Sequence, residues 1–387
     1  ILLFNIIKME QQLYHVAQPE AIQSGGYSEY NNVDFVINVG EGRSLVKNSV
    51  RITGEIAVNS DNSAGTRVLA ADSIFLGNRI GIHNVVDSIQ VTFNGGPSSG
   101  LKENVQNYAR FAEMIAVGQL YPDDLLNCSN MCELRAVNNK TSQVNSVGLI
   151  TGSPAGQSTV IVKNMDFSFR PHCILNRMSG DDLPMEKSGE IRLTMNLARS
   201  IAALMGSDQL DAAGYTLFNL ECTYISVPSE PSNSLTVMNS VYNVKSTILS
   251  GSSNISAQVP AICQSVSATF QRQEHENANF VNCNALETLE GINRVQFLFN
   301  DATNQYVTYQ ISDQNEMLHR YVDSFSNTGH NMVYGDQFRT NSGFGIGLDF
   351  NGSVDLSNQR FAVQLDSDVD AGKPVNIYLY FHSVMSL

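Results

Sequence analysis

The residues of this chain that could do chemistry are its cysteines, its histidines and a few clustered carboxylates. Cys128 and Cys132, with His172 and Cys173 further on, offer four zinc ligands. However, C-x3-C lies at the edge of the usual spacing, and an adjacent His and Cys point to opposite faces of a strand. The expectation is buried structural thiols. Gly343-Phe344-Gly345-Ile346-Gly347 has its third glycine misplaced for G-x-G-x-x-G, and no helix opens after it, so these glycines are expected to allow close packing between strand residues. Asp366, Asp368 and Asp370 begin like a calcium loop, yet Ala371 and Ile377 stand where its glycine and glutamate belong. A solvated turn is the expectation.

His15, His83, His172, His275, His319, His330 and His382 are far apart, and none has a catalytic spacing. Asp123-Asp124 and Asp181-Asp182 adjoin proline-containing loops and read as turn formers. The carboxylates of a glycosidase need not be close in sequence, so spacing alone leaves such an enzyme open. Sequons at Asn127, Asn139, Asn254 and Asn351 carry little weight without a secretory signal. No catalytic, cofactor-binding or metal-binding residue is assigned.

The elements that must position these groups are mostly strands. Val33, Phe35, Ile37 and Val39 alternate, as do Val50, Ile52, Ile56 and Val58, and then Ile89, Val91 and Phe93. From Val105 the period lengthens: Tyr108, Ala109, Ala112, Ile115 and Ala116 fit a helix, with Ser98 and Ser99 upstream. Strands resume at 159–162, 166–169, 191–197 and 215–225. Further strands fall at 241–248, 262–270, 295–299 and 306–311. A second helix follows, in which Asp313 and Glu316 have capping-box spacing and Leu318, Tyr321, Val322 and Phe325 make the stripe. Strands at 344–350, 361–365 and 375–381 complete the chain.

This order duplicates itself. A strand from Gly214 to Val227 stops at Pro228-Ser229-Glu230-Pro231, and a similar one, Val375 to Phe381, closes the second half. At 387 residues the chain exceeds one ordinary core. The expected division is an N-terminal arm over 1–29, a first β unit over 30–227, a linker over 228–240 and a second β unit over 241–387. One helix per half is too few for a parallel α/β sheet, so the fold class is all-β with a few short helices, a sandwich or barrel in each half.

Charged residues are only 16%, and the net charge is −14. That balance opposes direct nucleic-acid binding, which relies on Lys and Arg displacing counterions. The apolar stretch Ile1 to Ile7 is too short to span a bilayer and lacks a basic region before it. Six dispersed cysteines suit reduced thiols in a cytosolic or nuclear compartment.

Four strings carry a family resemblance: Phe167-Ser168-Phe169-Arg170-Pro171-His172-Cys173-Ile174-Leu175-Asn176, Gly189-Glu190-Ile191-Arg192-Leu193-Thr194-Met195-Asn196-Leu197-Ala198-Arg199, Tyr215-Thr216-Leu217-Phe218-Asn219-Leu220 and Val259-Pro260-Ala261-Ile262-Cys263-Gln264-Ser265-Val266-Ser267. In order and spacing they resemble the double jelly-roll major capsid proteins of polinton-like viruses and virophages, within the bacteriophage and adenovirus lineage. The resemblance implies two tandem eight-stranded jelly rolls, homotrimeric pseudo-hexameric capsomers and an icosahedral virion assembled inside a host cell. The role it implies is structural, without enzymatic activity or a cofactor. The implied partners are neighbouring capsomers, penton and minor capsid proteins and, in part of the group, an internal membrane. Outer loops would fall at Pro122 to Gly156 and Asn327 to Ser342. The rival readings are a tandem β-sandwich carbohydrate-binding protein, weakened by the absence of Trp, a hydrolase on a β scaffold, and a vertex protein of the same virion.

Overall fold

The computed structural model describes residues 11–61, 75–76, 80–95, 100, 102–116, 150–151, 161–162, 165–205, 212–229, 235–248, 251–259, 262–276, 286–287, 292–299, 313–325, 344–357, 359–368 and 373–386. The expected strand at 306–311 and nearly all of both outer-loop spans lie outside them.

The first half is built on β1 (Leu13–Ala17), β2 (Asn32–Ile37), β3 (Arg51–Asp61), β4 (Val86–Phe93), β5 (Lys102–Gln106), β6 (Met165–Phe169), β7 (Ile191–Leu197) and β8 (Ala212–Pro228). One sheet runs β1-β8-β3-β6, and the other runs β2-β7-β4-β5. The second half uses β9 (Thr236–Ile248), β10 (Gly251–Gln258), β11 (Ile262–Arg272), β12 (Ile292–Phe299), β13 (Ile346–Asp355), β14 (Arg360–Ser367) and β15 (Val375–Ser386). Its sheets run β9-β15-β11-β13 and β10-β14-β12.

The two orders correspond strand for strand: β9, β15, β11 and β13 take the places of β1, β8, β3 and β6, and β10, β14 and β12 those of β2, β7 and β4. That crossing pattern is a jelly roll, an antiparallel double sheet made of two Greek keys. The alternating strands that end the two halves in sequence, β8 and β15, are the last of their units, each inserted between its unit's first and third. Their inward residues make the core: Tyr215, Leu217 and Cys222 on β8, and Ile377, Leu379 and Phe381 on β15.

Several expectations need correction. The span 1–29, expected as an arm, contains β1, which pairs with β8 from Leu13↔Ser226 to Ala17↔Cys222. Leu13, Tyr14 and Val16 are all exposed, so β1 lacks the buried alternation that would mark it in sequence. The span 228–240, expected as a linker, contains the start of β9. Strand β10 was missed because it is polar, with only Ile255 and Ala257 buried along it. Val105, expected on the first helix, belongs to β5. The helix itself, α1 (Tyr108–Ala116), begins after Asn107, whose positive φ of 50° turns the chain between them.

The second helix, α2 (Gln314–Asp323), is capped by Asp313, which accepts from the Asn315 amide at 2.8 Å. Glu316 pairs with Arg320 at 2.8 Å rather than closing a capping box. The apolar side of α2 lies on β13, and here the glycine-rich string finds its use. A methyl group on Gly345 would overlap the Tyr321 ring and stand 2.8 Å from the Ala268 carbonyl oxygen, while one on Gly347 would meet the Ser324 side chain. Gly345→Ala is therefore expected to destabilise the second unit by about 1–3 kcal/mol, the usual cost of overpacking. Denaturant unfolding of the variant checks this.

Candidate functional site at the seam between the two units

The two jelly rolls share a sheet. Strand β5 of the first unit lies parallel to β9 of the second at Asn104↔Tyr242, and the short strand Met178–Gly180 pairs with β9 at Met178↔Met238. The order β2-β7-β4-β5-β9-β15-β11-β13 therefore runs unbroken through both units.

Helix α1 fills the space behind that junction. Its residues from Tyr108 to Ile115 are all buried, so the expected amphipathic stripe is only part of a helix covered on every side, as in the interior of a large protein. Several of its contacts are to the second unit. Arg110 Nη1 donates to the Phe270 carbonyl at 3.2 Å, and its guanidinium covers the Tyr378 ring at 4.6 Å. Phe111 meets Tyr380 with ring centroids 5.2 Å apart. Ser267 Oγ donates to Met114 Sδ at 3.6 Å. Just before the helix, Asn107 Nδ2 donates to Asn243 Oδ1 at 3.1 Å.

At the centre of the seam is Glu103, 1% exposed. Its carboxylate pairs with Arg177, accepts from the Ile174 amide at 2.5 Å and accepts from the Val241 amide, in the second unit, at 2.9 Å. Burial pushes the Glu103 carboxyl up, while Arg177 and the two amides oppose that shift. Phe111 lies under the Arg177 guanidinium at 5.3 Å. One carboxylate thus ties β5, the segment after β6, and β9. Elsewhere along the seam a pocket of about 230 Å³ opens, lined by Asp87, Arg110, Arg199, Lys245, Glu276 and Tyr378 among others.

The structure places the sequence-level candidates as follows. His172 and Cys173 lie in the first unit, where His172 stacks on His83 at 4.8 Å and 15°, and Cys128 and Cys132 are outside the described residues. Among the described residues, no group of three or more metal-ligating side chains converges. Cys173, Cys222 and Cys263 are buried free thiols. Burial pushes Cys173 and Cys263 up to about 12 and raises Cys222 as well, so these thiols are protonated and inert at neutral pH.

Asp366 pairs with Arg294 at 2.8 Å, and Asp368 accepts from Asn293 at 3.3 Å. Asp181 and Asp182 accept from the Leu235 and Lys47 amides at 2.8 and 3.1 Å. The latter two fasten turns to neighbouring strands. Sequence reasoning missed Glu103 and Arg177. The available signal was a glutamate two residues before Val105, on the inward side of a strand.

His83 is buried in the first unit. Its Nδ1 lies 2.6 Å from Tyr108 Oη, which also accepts the His172 amide at 2.9 Å, and the edge of Phe169 faces its ring at 4.8 Å. Nε2 finds no hydrogen-bond partner among the described residues. Burial pulls the imidazole down to about 3 from 6.5. The unfolded chain therefore takes up this proton at higher pH than the folded one. Stability from this group is complete above pH 6.5 and lost as pH falls toward 3, amounting to about 2–3 kcal/mol by pH 4.5. Thermal melting at pH 7 and pH 4.5 checks this, and His83→Gln is expected to narrow the difference between the two.

Comparison with solved structures identifies the architecture. No protein-family model matches the chain, and no curated protein matches it in sequence. Similar structures include the Faustovirus major capsid protein, with TM-score 0.60 and 8% identity over 97% of this chain and 90% of that one. The PBCV-1 protein Vp54, fitted into a reconstruction of the virophage Sputnik, has TM-score 0.57 and 11% identity over 97% and 94%. The mavirus major capsid protein has TM-score 0.53 and 11% identity over 97% and 90%. With its repeated strand order and fused sheet, this chain has the double jelly-roll fold, the architecture it shares with these viral major capsid proteins.

Proposed function

We propose that the chain is the major capsid protein of an icosahedral virus, a structural component of the virion assembled inside the host cell. The observation that carries this reading is the pair of jelly rolls with one strand order, welded along a buried seam and matched over 97% of the chain by viral major capsid proteins. Two similar units per chain give a homotrimer six similar edges, so a threefold particle can occupy a sixfold lattice position. Such a capsomer would contact neighbouring capsomers, penton and minor capsid proteins. The net charge of −14 is awkward for touching nucleic acid directly and favours basic minor proteins or an internal membrane between shell and genome. No observation favours the tandem carbohydrate-binding reading, and the buried polar groups at the seam serve cohesion.

The test is the mass of the purified chain by light scattering and sedimentation. Three chains per particle are expected. A chain that stays monomeric at high concentration, and forms no trimer with its virion partners present, would overturn the reading.

A further inference from the structure

Strand β13, the last in the fused sheet, leaves its ladder part-way along. It pairs with β11 from Ala268↔Ile346 to Ser265↔Asp349 and again at Cys263↔Val354, so Phe350, Asn351, Gly352 and Ser353 stand against Gln264 alone. A bulge of this kind bends its strand and leaves the extra residues unpaired. Phe350 roots it, with its ring 5.6 Å from that of Phe299 and 6.0 Å from that of Phe361. Beyond that ring, Asn351, Gly352 and Ser353 are all exposed.

The pair Asn351-Gly352 is open to chemistry in two ways. Asn351 has a positive φ of 53°, outside strand geometry, with its amide donating to Asp349 Oδ1 at 2.9 Å. The space around Gly352 is empty: a methyl group built on it would meet nothing within 4 Å. The sequence holds one other Asn-Gly pair, Asn94-Gly95, and that one is fastened. The Asn94 amide donates to the Glu190 carbonyl at 2.9 Å, and a methyl group on Gly95 would stand 2.8 Å from Gly189 Cα, so backbone lies against backbone there.

We propose that Asn351 is a self-modification site of the folded chain, at which the Gly352 backbone nitrogen closes on the Asn351 side chain and the asparagine becomes aspartate or isoaspartate. The nitrogen and Asn351 Cγ belong to neighbouring residues, so closure makes a five-membered ring and covalent connection alone supplies the proximity. The Gly352 N–Cγ bond forms and the Cγ–Nδ2 bond breaks. The proton of the Gly352 amide passes through water to Nδ2, which leaves as ammonia. Water then adds to one of the two ring carbonyls. Opening at Cγ gives aspartate, and opening at the Asn351 main-chain carbonyl gives isoaspartate, whose backbone runs through Cγ. One water is consumed and one ammonia released, with no oxidant or cofactor. Glycine suits the second position because it has no side chain to block the approach and moves freely in φ. Within a paired ladder the backbone would have to open before the ring could close, and the bulge removes that requirement. The product places a new carboxylate next to Asp349, at a point where β13 is already out of the ladder.

The experiment is peptide mapping by mass spectrometry of the folded full-length chain, incubated at mildly alkaline pH in water enriched in heavy oxygen, beside the same chain in denaturant. In the folded chain the peptide containing Asn351 is expected to exchange its amide for one heavy oxygen at least about tenfold faster than the peptide containing Asn94, whose backbone has to open first. An isoaspartate-specific methyltransferase should label the Asn351 peptide, and in denaturant the two pairs should react at similar rates. Asn351→Gln, which would have to close a larger ring, should keep its amide in the folded chain. A folded chain whose Asn351 amide is intact after the denatured chain has lost it overturns the proposal. So does equal loss at both pairs in the folded chain, a product that is aspartate with no isoaspartate, or a sugar on Asn351. None of these readouts depends on trimer formation, so this proposal and the capsid reading can fail separately.

Discussion

Glu103→Ala is expected to cost about 3–5 kcal/mol, because it leaves the Arg177 guanidinium buried without its counter-charge. The same change strands the Ile174 and Val241 amides, which Glu103 holds at 2.5 and 2.9 Å, and each unsatisfied buried donor carries its own desolvation cost. The loss should appear in denaturant unfolding. It should also appear as faster proteolysis between the units, since the Val241 amide is the partner through which Glu103 reaches the second unit. A control separates charge from cohesion: Glu103→Leu combined with Arg177→Met removes both charges together and is expected to recover much of the loss, as apolar replacement of whole buried pairs often does. If the double variant is no better than Glu103→Ala, then the amide contacts, not the ion pair, hold the seam.

Phe361→Ala is expected to be as damaging, and in a different place. Phe361 is fully buried on β14, and its ring meets those of Phe297 at 6.1 Å, Phe299 at 5.3 Å, Phe350 at 6.0 Å and Phe381 at 5.3 Å. Phe381 lies on β15, in the opposite sheet, so this ring bridges the two layers of the second jelly roll. Emptying it leaves a cavity and removes several aromatic pairs, for about 3–5 kcal/mol. Phe361→Leu should cost distinctly less. Calorimetry is the informative measurement: if the seam makes the chain one cooperative body, a single transition moves down, whereas two separable transitions would mean that the units melt independently.

Much of this fold was legible in the sequence because its strands bury one face. Val33, Phe35 and Ile37 on β2 and Ile191, Leu193 and Met195 on β7 are buried at alternate positions, and that alternation is a local signal. Strands were lost where the signal fails. Strand β1 exposes its apolar residues, β10 is polar apart from the buried Ile255 and Ala257, and Val105 satisfies helical and extended periods equally well. The family resemblance supplied what periodicity cannot, that the halves are jelly rolls rather than some other sandwich.

The seam was illegible for a different reason. Glu103, Arg177 and Val241 are joined only by the long-range arrangement of the strands, and the resembling string ends at Asn176, one residue short of Arg177. Gly345, just before β13, and Gly347, near its start, were half legible. Their string suggested close packing, and only the structure showed that Tyr321 and Ser324 of the second helical segment are what they admit.

The parallel contact of β5 with β9 has a mechanical consequence. With a hydrogen-bonded sheet running across the midline and α1 wedged behind it, bending one half against the other has to disturb that sheet and the helix packing among the described residues. It behaves as a stiff plate. On the capsid reading proposed above, the angle that curves a shell would be taken up between chains rather than by flexing within one.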